Sequence, residues 1–120
     1  MHKNFVFVYG TLRKGFWNHS FLGNSRFLGY GKTKEKYSLY ADSIPYVVKE
    51  PLTQIKGEIY EVDDETLQRL DELEGHPSFY KRELVDVITE DGKLIKAWIY
   101  FYPYKNGHLI QSGDYKDCRR

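Results

Sequence analysis

The sequence predicts an α+β fold in which a curled or closed sheet has one or two helices packed beside it. Seven short segments have the continuous apolar or alternating patterns of strands. One segment has apolar residues at the spacing of an amphipathic helix, and glycines interrupt a strand pattern as they do at barrel corners. The 120 residues fit one domain, spanning residues 1–120.

The first half of the chain contains mainly strands. Residues 4–9 are almost continuously apolar, which predicts a strand buried on both faces, and Gly10 ends it. Residues 10–15 follow as a loop. Further strands are predicted over residues 26–33, with bends at Gly29 and Gly31, over residues 36–41, and over residues 46–49 after Pro45.

Residues 55–62 alternate in the way of a strand buried on one face, with Ile55, Gly57 and Ile59 on the inner side and Lys56, Glu58 and Tyr60 on the other. A helix is predicted over residues 64–74, capped by Asp63 or Asp64 and ended by Gly75.

The helix is expected to pack on the core through Leu67, Leu70 and Leu73, which form one apolar stripe. Two strands, 80–88 and 94–102, are joined by a hairpin turn at Glu90-Asp91-Gly92. Residues 103–120 have little periodicity and are predicted to be mostly loop.

Composition and charge exclude several classes of protein. Eighteen basic and seventeen acidic residues leave a net charge of +1, which argues against nucleic-acid binding by bulk charge. Charge is uneven, since residues 1–36 are basic and residues 58–74 acidic, and we expect two solvated faces of opposite sign. A weaker alternative is a small barrel that binds nucleic acid through exposed tyrosines and its basic first third.

The chain has the features expected of a soluble cytoplasmic protein. Its single cysteine, Cys118, excludes an intramolecular disulfide and any zinc site built from several thiolates. The first apolar run, from Phe5 to Val8, is too short for a membrane span or a signal segment. We therefore expect neither membrane insertion nor secretion.

The loop after the first strand is the first candidate site. Gly10 allows a sharp turn and leaves the neighbouring amides without a side-chain shield, so that successive N–H groups form a cradle for an anion. An ordinary strand-to-loop turn is an equally good interpretation. The loop matches neither a Walker A motif nor a GxGxxG motif, and we expect Arg13 and Lys14 to be exposed to solvent.

Glu74 is the second candidate. It lies in the last turn of the predicted helix, where the macrodipole disfavours negative charge, and at a spacing that continues the apolar stripe. A carboxyl group in such a setting has a raised pKa and suits general acid/base catalysis. The alternative is a structural glutamate bonded to a tyrosine or an arginine such as Arg82.

Covalent and metal catalysis have no support in the sequence. The four histidines show no metal-ligand spacing, and no serine lies in a GxSxG elbow. Cys118 is two residues from the end of the sequence, where a nucleophile would lack supporting structure. We expect no metal and no cofactor.

These segments together resemble the γ-glutamylcyclotransferase family, in particular its AIG2-like and γ-glutamylamine cyclotransferase branch. The resemblance is carried by FVFVYGTLRKGFWN at 5–18, IPYVV at 44–48, KGEIYEVDDETLQRLDELEGHPSFYKRE at 56–83 and SGDY at 112–115. The order and spacing of these segments match the family over essentially the whole chain.

The resemblance implies a mixed β-barrel with helices outside it and a cavity at its mouth. It also implies conversion of a γ-glutamyl compound into 5-oxoproline with release of an amine, which is a lysine-like amine, an amino acid or a larger peptide. Matching positions imply that Glu74 is catalytic and that the glutamyl carboxylate is held by the amides of the loop residues Tyr9, Gly10, Thr11 and Leu12. They also imply that Tyr80 and Tyr115 are aromatic residues near the cavity. Asn18 matches the loop pattern of the family.

This activity agrees with the residue-level interpretation, because the substrate's own α-amine is the nucleophile and Glu74 can move the proton. The loop amides are placed for the α-carboxylate or, alternatively, for the oxyanion at the γ-carbonyl. The competing hypothesis is a non-catalytic module that binds a small anionic or γ-glutamyl ligand in the same cavity.

Overall fold

The computed structural model describes residues 3–118 and contains a closed barrel of five strands in the order β1-β5-β2-β6-β7. A separate three-stranded sheet has the order β4-β3-β8. The strands are β1 (Asn4–Val8), β2 (Arg26–Thr33), β3 (Tyr37–Ala41), β4 (Pro45–Thr53), β5 (Lys56–Val62), β6 (Lys81–Thr89), β7 (Leu94–Phe101) and β8 (His108–Leu109).

The barrel is mixed. Strand β1 pairs in parallel with β7 at Val6 and Trp98, and this pairing closes the barrel. The other barrel pairings are antiparallel. The predicted α+β class, a closed or curled mixed barrel with one or two flanking helices, is therefore confirmed, with the barrel closed and a helix beside it.

The helix α1 (Asp64–Glu74) has the predicted bounds. The Asp63 side chain accepts a hydrogen bond from the Thr66 amide, so Asp63 is the N-cap. Gly75 adopts the left-handed conformation, with φ of 68°, and its amide donates to the last helical carbonyls. These two caps set the position of Glu74 as the final residue of the helix.

Strand β5 differs from its predicted half-buried state. The positions from Gly57 to Tyr60 are all buried, so both faces of the strand are covered. Glu58 was expected on the outer face and is instead only 1% exposed. The reason is that β5 pairs with β1 on one side and β2 on the other while the segment after β1 lies over its polar face.

Two apolar clusters fill the molecule. One joins the barrel to the three-stranded sheet and includes Phe7, Leu39 and Ile99. The other joins the barrel to α1 and includes Val8 and Leu70. Strand β1 contributes alternate residues to both clusters, which confirms that it is buried on both faces.

The C-terminal segment is less irregular than predicted. It contains the short strand β8 and a 3₁₀ turn at Tyr115–Asp117. Strand β4 is also longer than the predicted 46–49, because it continues to pair with β3 as far as Thr53. The ends of the predicted loop 103–120 and of the domain 1–120 lie outside the described residues. Among residues 3–118, no helix has the length and apolar character that a bilayer span requires.

Candidate active site

A cavity of about 210 Å³ lies where four segments meet: the loop after β1, the start of β4, the end of α1 and strand β7. It is open to solvent on one side and combines backbone amides with aromatic and aliphatic side chains. The lining residues are Tyr9, Gly10, Thr11, Leu12, Asn18, Ile44, Pro45, Leu73, Glu74, Tyr80 and Tyr100.

Glu74 supplies the carboxyl group of this cavity. Its side chain forms no hydrogen bond within residues 3–118, and no fully buried side-chain oxygen in that range lacks a partner. The Glu74 oxygens therefore open onto the cavity. Burial raises the pKa of Glu74 to about 7, because the charged form loses hydration that no donor replaces.

A structural role for Glu74 would require a hydrogen-bond partner such as Arg82, but Arg82 is bonded to a different carboxylate. The Arg82 guanidinium donates to Asp71 through Nε at 2.8 Å and Nη2 at 3.1 Å. Asp71 precedes Glu74 by three residues on the same helix. Arg82 therefore leaves Glu74 free to face the cavity.

The loop after β1 lies against the start of β4. A Cβ atom on Gly10 would be 2.3 Å from Pro45 Cγ, so only glycine permits this approach. The Arg13 amide donates to the Gly10 carbonyl at 3.0 Å and closes the turn. The amides of Thr11 and Leu12 donate to no acceptor within residues 3–118, which leaves them available to a ligand.

Asn18 holds this loop in place. Its Nδ2 donates to Thr11 Oγ1 at 3.0 Å, and its backbone amide donates to the Thr11 carbonyl at 3.0 Å. The structure therefore brings Asn18 to the cavity together with the predicted loop residues Tyr9, Gly10, Thr11 and Leu12.

Arg13 corrects the expectation that both basic residues of the loop are exposed. Lys14 is exposed, but Arg13 is only 3% exposed. Its Nε donates to Glu58 at 3.3 Å and its Nη1 donates to Asp114 at 2.7 Å. Glu58 also accepts from the Lys14 amide at 2.9 Å and from Tyr60 Oη at 2.8 Å. The loop is thus tied to β5 and to the C-terminal segment.

Two of the three predicted tyrosines line the cavity. Tyr9 Oη donates to the Tyr100 carbonyl and Tyr80 Oη donates to the Pro45 carbonyl, each at 2.7 Å. Tyr115 is not among the lining residues. Its ring packs 5.3 Å from that of Phe16 within the apolar core, because the 3₁₀ turn points it inward.

Four lining residues were not predicted from the sequence: Ile44, Pro45, Leu73 and Tyr100. Leu73 belongs to the apolar stripe of the helix and is adjacent to Glu74, so the helical pattern could have predicted that it lines the cavity. Ile44 and Pro45 lie in the IPYVV segment, but no local pattern marks them as cavity residues. Tyr100 lies in a strand rich in aromatic residues, and no feature of the sequence distinguishes it from the other aromatic residues there. Within residues 3–118, no three histidine, cysteine or acidic side chains are grouped to hold a metal ion.

Comparison with known proteins identifies relatives over nearly the whole chain. The family model described as gamma-glutamyl cyclotransferase, AIG2-like, matches residues 6–117. A protein of Methanocaldococcus jannaschii named "Putative gamma-glutamylcyclotransferase" is 60% identical over 117 residues, covering 96% of this chain and 98% of that protein.

A relative from Bos taurus is named gamma-glutamylaminecyclotransferase. It is 36% identical over 124 residues, covering 92% of this chain and 74% of that protein. Among solved structures, an AIG2-like protein from Mus musculus is similar with a TM-score of 0.78 and 34% identity, covering 84% of this chain and 78% of that one.

Proposed function

The chain belongs to the AIG2-like gamma-glutamyl cyclotransferase family, and we propose that it converts a γ-glutamyl compound into 5-oxoproline and a free amine. The observation that carries this proposal is the Glu74 carboxyl, which has no hydrogen-bond partner among residues 3–118, a pKa raised to about 7 by burial, and a place in the lining of the cavity. Such a group exchanges protons readily near neutral pH.

In the proposed reaction the neutral α-amine of the substrate attacks its own γ-carbonyl carbon. A carbon–nitrogen bond forms and Glu74 accepts one proton from the attacking nitrogen. The bond from the γ-carbon to the leaving nitrogen then breaks, and protonated Glu74 delivers that proton to the leaving amine. One carboxyl group thus acts as base and then as acid, so no enzyme nucleophile is needed.

We assign the free amides of Thr11 and Leu12 to the α-carboxylate of the substrate. None of the cavity-lining residues is lysine or arginine. Arg13 is buried beside the loop but is paired with Glu58 and Asp114. An anion in the cavity would therefore be held by uncharged donors, to which the backbone amides of Thr11 and Leu12 contribute.

The cavity also contributes by holding the substrate in a folded shape. An α-amine and a γ-carbonyl on one flexible arm meet infrequently in solution, and binding in a confined site removes that freedom before reaction.

The test is release of 5-oxoproline from a panel of γ-glutamyl amines and peptides by the wild type, Glu74→Gln and Glu72→Gln. Glu72 lies in the same helical turn but is exposed, so its variant is the matched control. We expect Glu74→Gln to lose at least about 100-fold in activity and Glu72→Gln to retain it.

Undiminished turnover by Glu74→Gln would overturn the assigned role of Glu74. If no member of the panel yields 5-oxoproline while L-glutamate or 5-oxoproline binds saturably, the cavity is that of a non-catalytic binding module.

A further inference from the structure

The loop after β1 contains a tight turn whose far end is anchored inside the protein. The Arg13 amide donates to the Gly10 carbonyl at 3.0 Å, so Thr11 and Leu12 are the two central residues of a four-residue turn. Their amides are the donors that the proposed function assigns to the substrate carboxylate. The position of these amides therefore depends on how the two ends of the turn are held.

Arg13 holds its end of the turn through a side chain that does not line the cavity. This side chain is only 3% exposed. Its Nε donates to Glu58 Oε2 at 3.3 Å, and its Nη1 donates to Asp114 Oδ1 at 2.7 Å. Two nitrogens of one planar guanidinium thus bond two separate carboxylates, which fixes the orientation of the group.

Glu58 is the first of these acceptors and belongs to the barrel wall, on strand β5. Its other oxygen accepts from the Lys14 amide at 2.9 Å and from Tyr60 Oη at 2.8 Å. The Lys14 bond attaches the backbone that follows the turn to the carboxylate that also receives the Arg13 side chain. The far end of the turn is therefore fastened to β5 twice.

Asp114 is the second acceptor, and it brings the C-terminal segment into the arrangement from 101 positions away. Its side chain caps a 3₁₀ turn by accepting from the Lys116 amide at 3.0 Å. Burial acts to raise the pKa of Asp114, but the hydrogen bonds from Lys116 and Arg13 outweigh it and leave this pKa below its ordinary value. An ionised carboxylate therefore faces the guanidinium.

The segment that carries Asp114 is itself closely docked on the chain between β4 and β5. The Lys56 amide donates to the Gly113 carbonyl at 2.9 Å. Gly113 has a φ of 73°, and a Cβ atom there would overlap the Gln54 carbonyl oxygen. Glycine thus permits a contact that holds Asp114 in a defined place.

Building on the proposed function, we propose that Arg13 and Asp114 are positioning residues for the carboxylate-binding turn. Asp114 orients the Arg13 guanidinium, and Arg13 fixes the end of the turn that carries the Thr11 and Leu12 amides. The docked C-terminal segment thereby controls the affinity of the cavity for a carboxylate, although none of the cavity-lining residues comes from that segment.

The experiment measures binding of L-glutamate and of 4-aminobutyrate by calorimetric titration at pH 7. 4-Aminobutyrate is L-glutamate without its α-carboxylate, so the affinity ratio isolates that group. Neither measurement depends on turnover, so the positioning role can be tested even if no γ-glutamyl compound is cyclised. We expect the wild type to bind L-glutamate at least about tenfold more tightly, as hydrogen bonds to a charged group imply.

Asp114→Ala removes one acceptor of Arg13 and leaves the bond to Glu58. We expect it to weaken L-glutamate binding about tenfold while changing 4-aminobutyrate binding by less than about twofold. Asp114→Asn keeps an oxygen acceptor for Arg13 and is expected to retain most of the preference. Asp117→Ala is the matched control and is expected to change neither affinity, because Asp117 lies in the same 3₁₀ turn but accepts from Ser112 Oγ at 2.6 Å.

Arg13→Lys is an independent second variant, which keeps the test decisive if Asp114→Ala does not fold. A lysine ammonium lacks the planar fork that bonds two carboxylates at once, so we expect the same selective loss of L-glutamate affinity. Thermal unfolding of each variant verifies that the compared proteins are folded. A merely structural role for Arg13 and Asp114 would lower the unfolding temperature and leave the affinity ratio unchanged.

The outcomes separate this inference from the function on which it rests. If the wild type prefers L-glutamate and the folded Asp114→Ala and Arg13→Lys variants keep that preference, the positioning role is overturned while the assignment of the loop amides stands. If the wild type shows no preference or binds neither ligand, the assignment of the loop amides fails and the positioning role fails with it.

Discussion

At the scale of single residues, Glu74 shows how position sets the acidity of a carboxyl group. It ends a helix, where the dipole disfavours its charge, and it lines a cavity where no side chain of the described part of the chain donates to it. Asp71, one turn earlier, is held ionised by Arg82 and Tyr100. Two carboxyls on one helix thus have opposite protonation preferences because their hydrogen-bond partners differ.

Because the pKa of Glu74 is raised in the folded protein, its ionisation lowers the free energy of unfolding. In the unfolded chain this carboxyl titrates near its ordinary value of 4.5, and in the folded protein at about 7. The contribution of neutral Glu74 to the free energy of unfolding is therefore fully present below about pH 4.5 and is lost as pH rises through about 7. Glu74→Gln removes the loss, so we expect it to be roughly 2 kcal/mol more stable than the wild type at pH 8 and equal to it at pH 4.

Urea unfolding at the two pH values measures this difference, with Glu72→Gln as the exposed control. An equal or lower stability of Glu74→Gln at pH 8 would contradict the expected shift.

At the scale of elements, the loop after β1 depends on the close approach of β4. Gly10 has an ordinary backbone conformation, since it is absent from the residues with positive φ, so the glycine is required here for space. Pro45 occupies the place of its missing side chain. The contact holds the loop against the start of β4, and both segments line the cavity.

Gly10→Ala is therefore expected to push the loop away from Pro45, lowering stability by about 1–3 kcal/mol and lowering any 5-oxoproline formation. Pro45→Ala removes the clashing Cγ atom, so the double variant is expected to recover part of both losses. A double-mutant cycle of urea unfolding and product release measures this coupling. Strictly additive losses would show that the Pro45 contact is not the reason for glycine at this position.

At the scale of the whole molecule, most basic residues of the first third and half of the acidic residues of segment 58–74 are exposed, but the two segments also form ion pairs with each other. They meet across the barrel, where Arg13 pairs with Glu58 in the interior and Lys3 and Arg26 pair with Glu61 near the surface. Asp114 extends the interior pair to the C-terminal segment. Three of the seven basic residues in 1–36 are thus paired with two of the eight acidic residues in 58–74.

Arg13→Met leaves the buried Glu58 carboxyl without its cationic partner, and the Lys14 amide and Tyr60 hydroxyl remain as its donors. We expect it to lose about 3–5 kcal/mol of stability, as for other broken buried pairs. Arg26→Met removes an exposed pair at 3.9 Å and is expected to lose less than about 1 kcal/mol. Urea unfolding at constant pH compares the two, and equal losses would argue against the interior pair as a stabilising link.

Local patterns predicted much of this protein. The bounds of α1, its caps at Asp63 and Gly75, and the hairpin of β6 and β7 follow from neighbouring residues. The loop residues 9–12 and Glu74 were also predicted, and the structure brings them to one cavity. Glycine, capping residues and apolar spacing act within a few positions of the chain, so one sequence suffices to find them.

Only the tertiary structure decided the partners of the polar residues. Arg13 and its acceptors are 45 and 101 positions apart, and Tyr100 reaches the cavity because β7 closes the barrel against β1. Tyr115 was placed near the cavity on its motif but packs in the core. The sequence by itself determined which groups carry chemistry, while closure of the barrel decided which of them meet, because burial and pairing depend on contacts between distant segments.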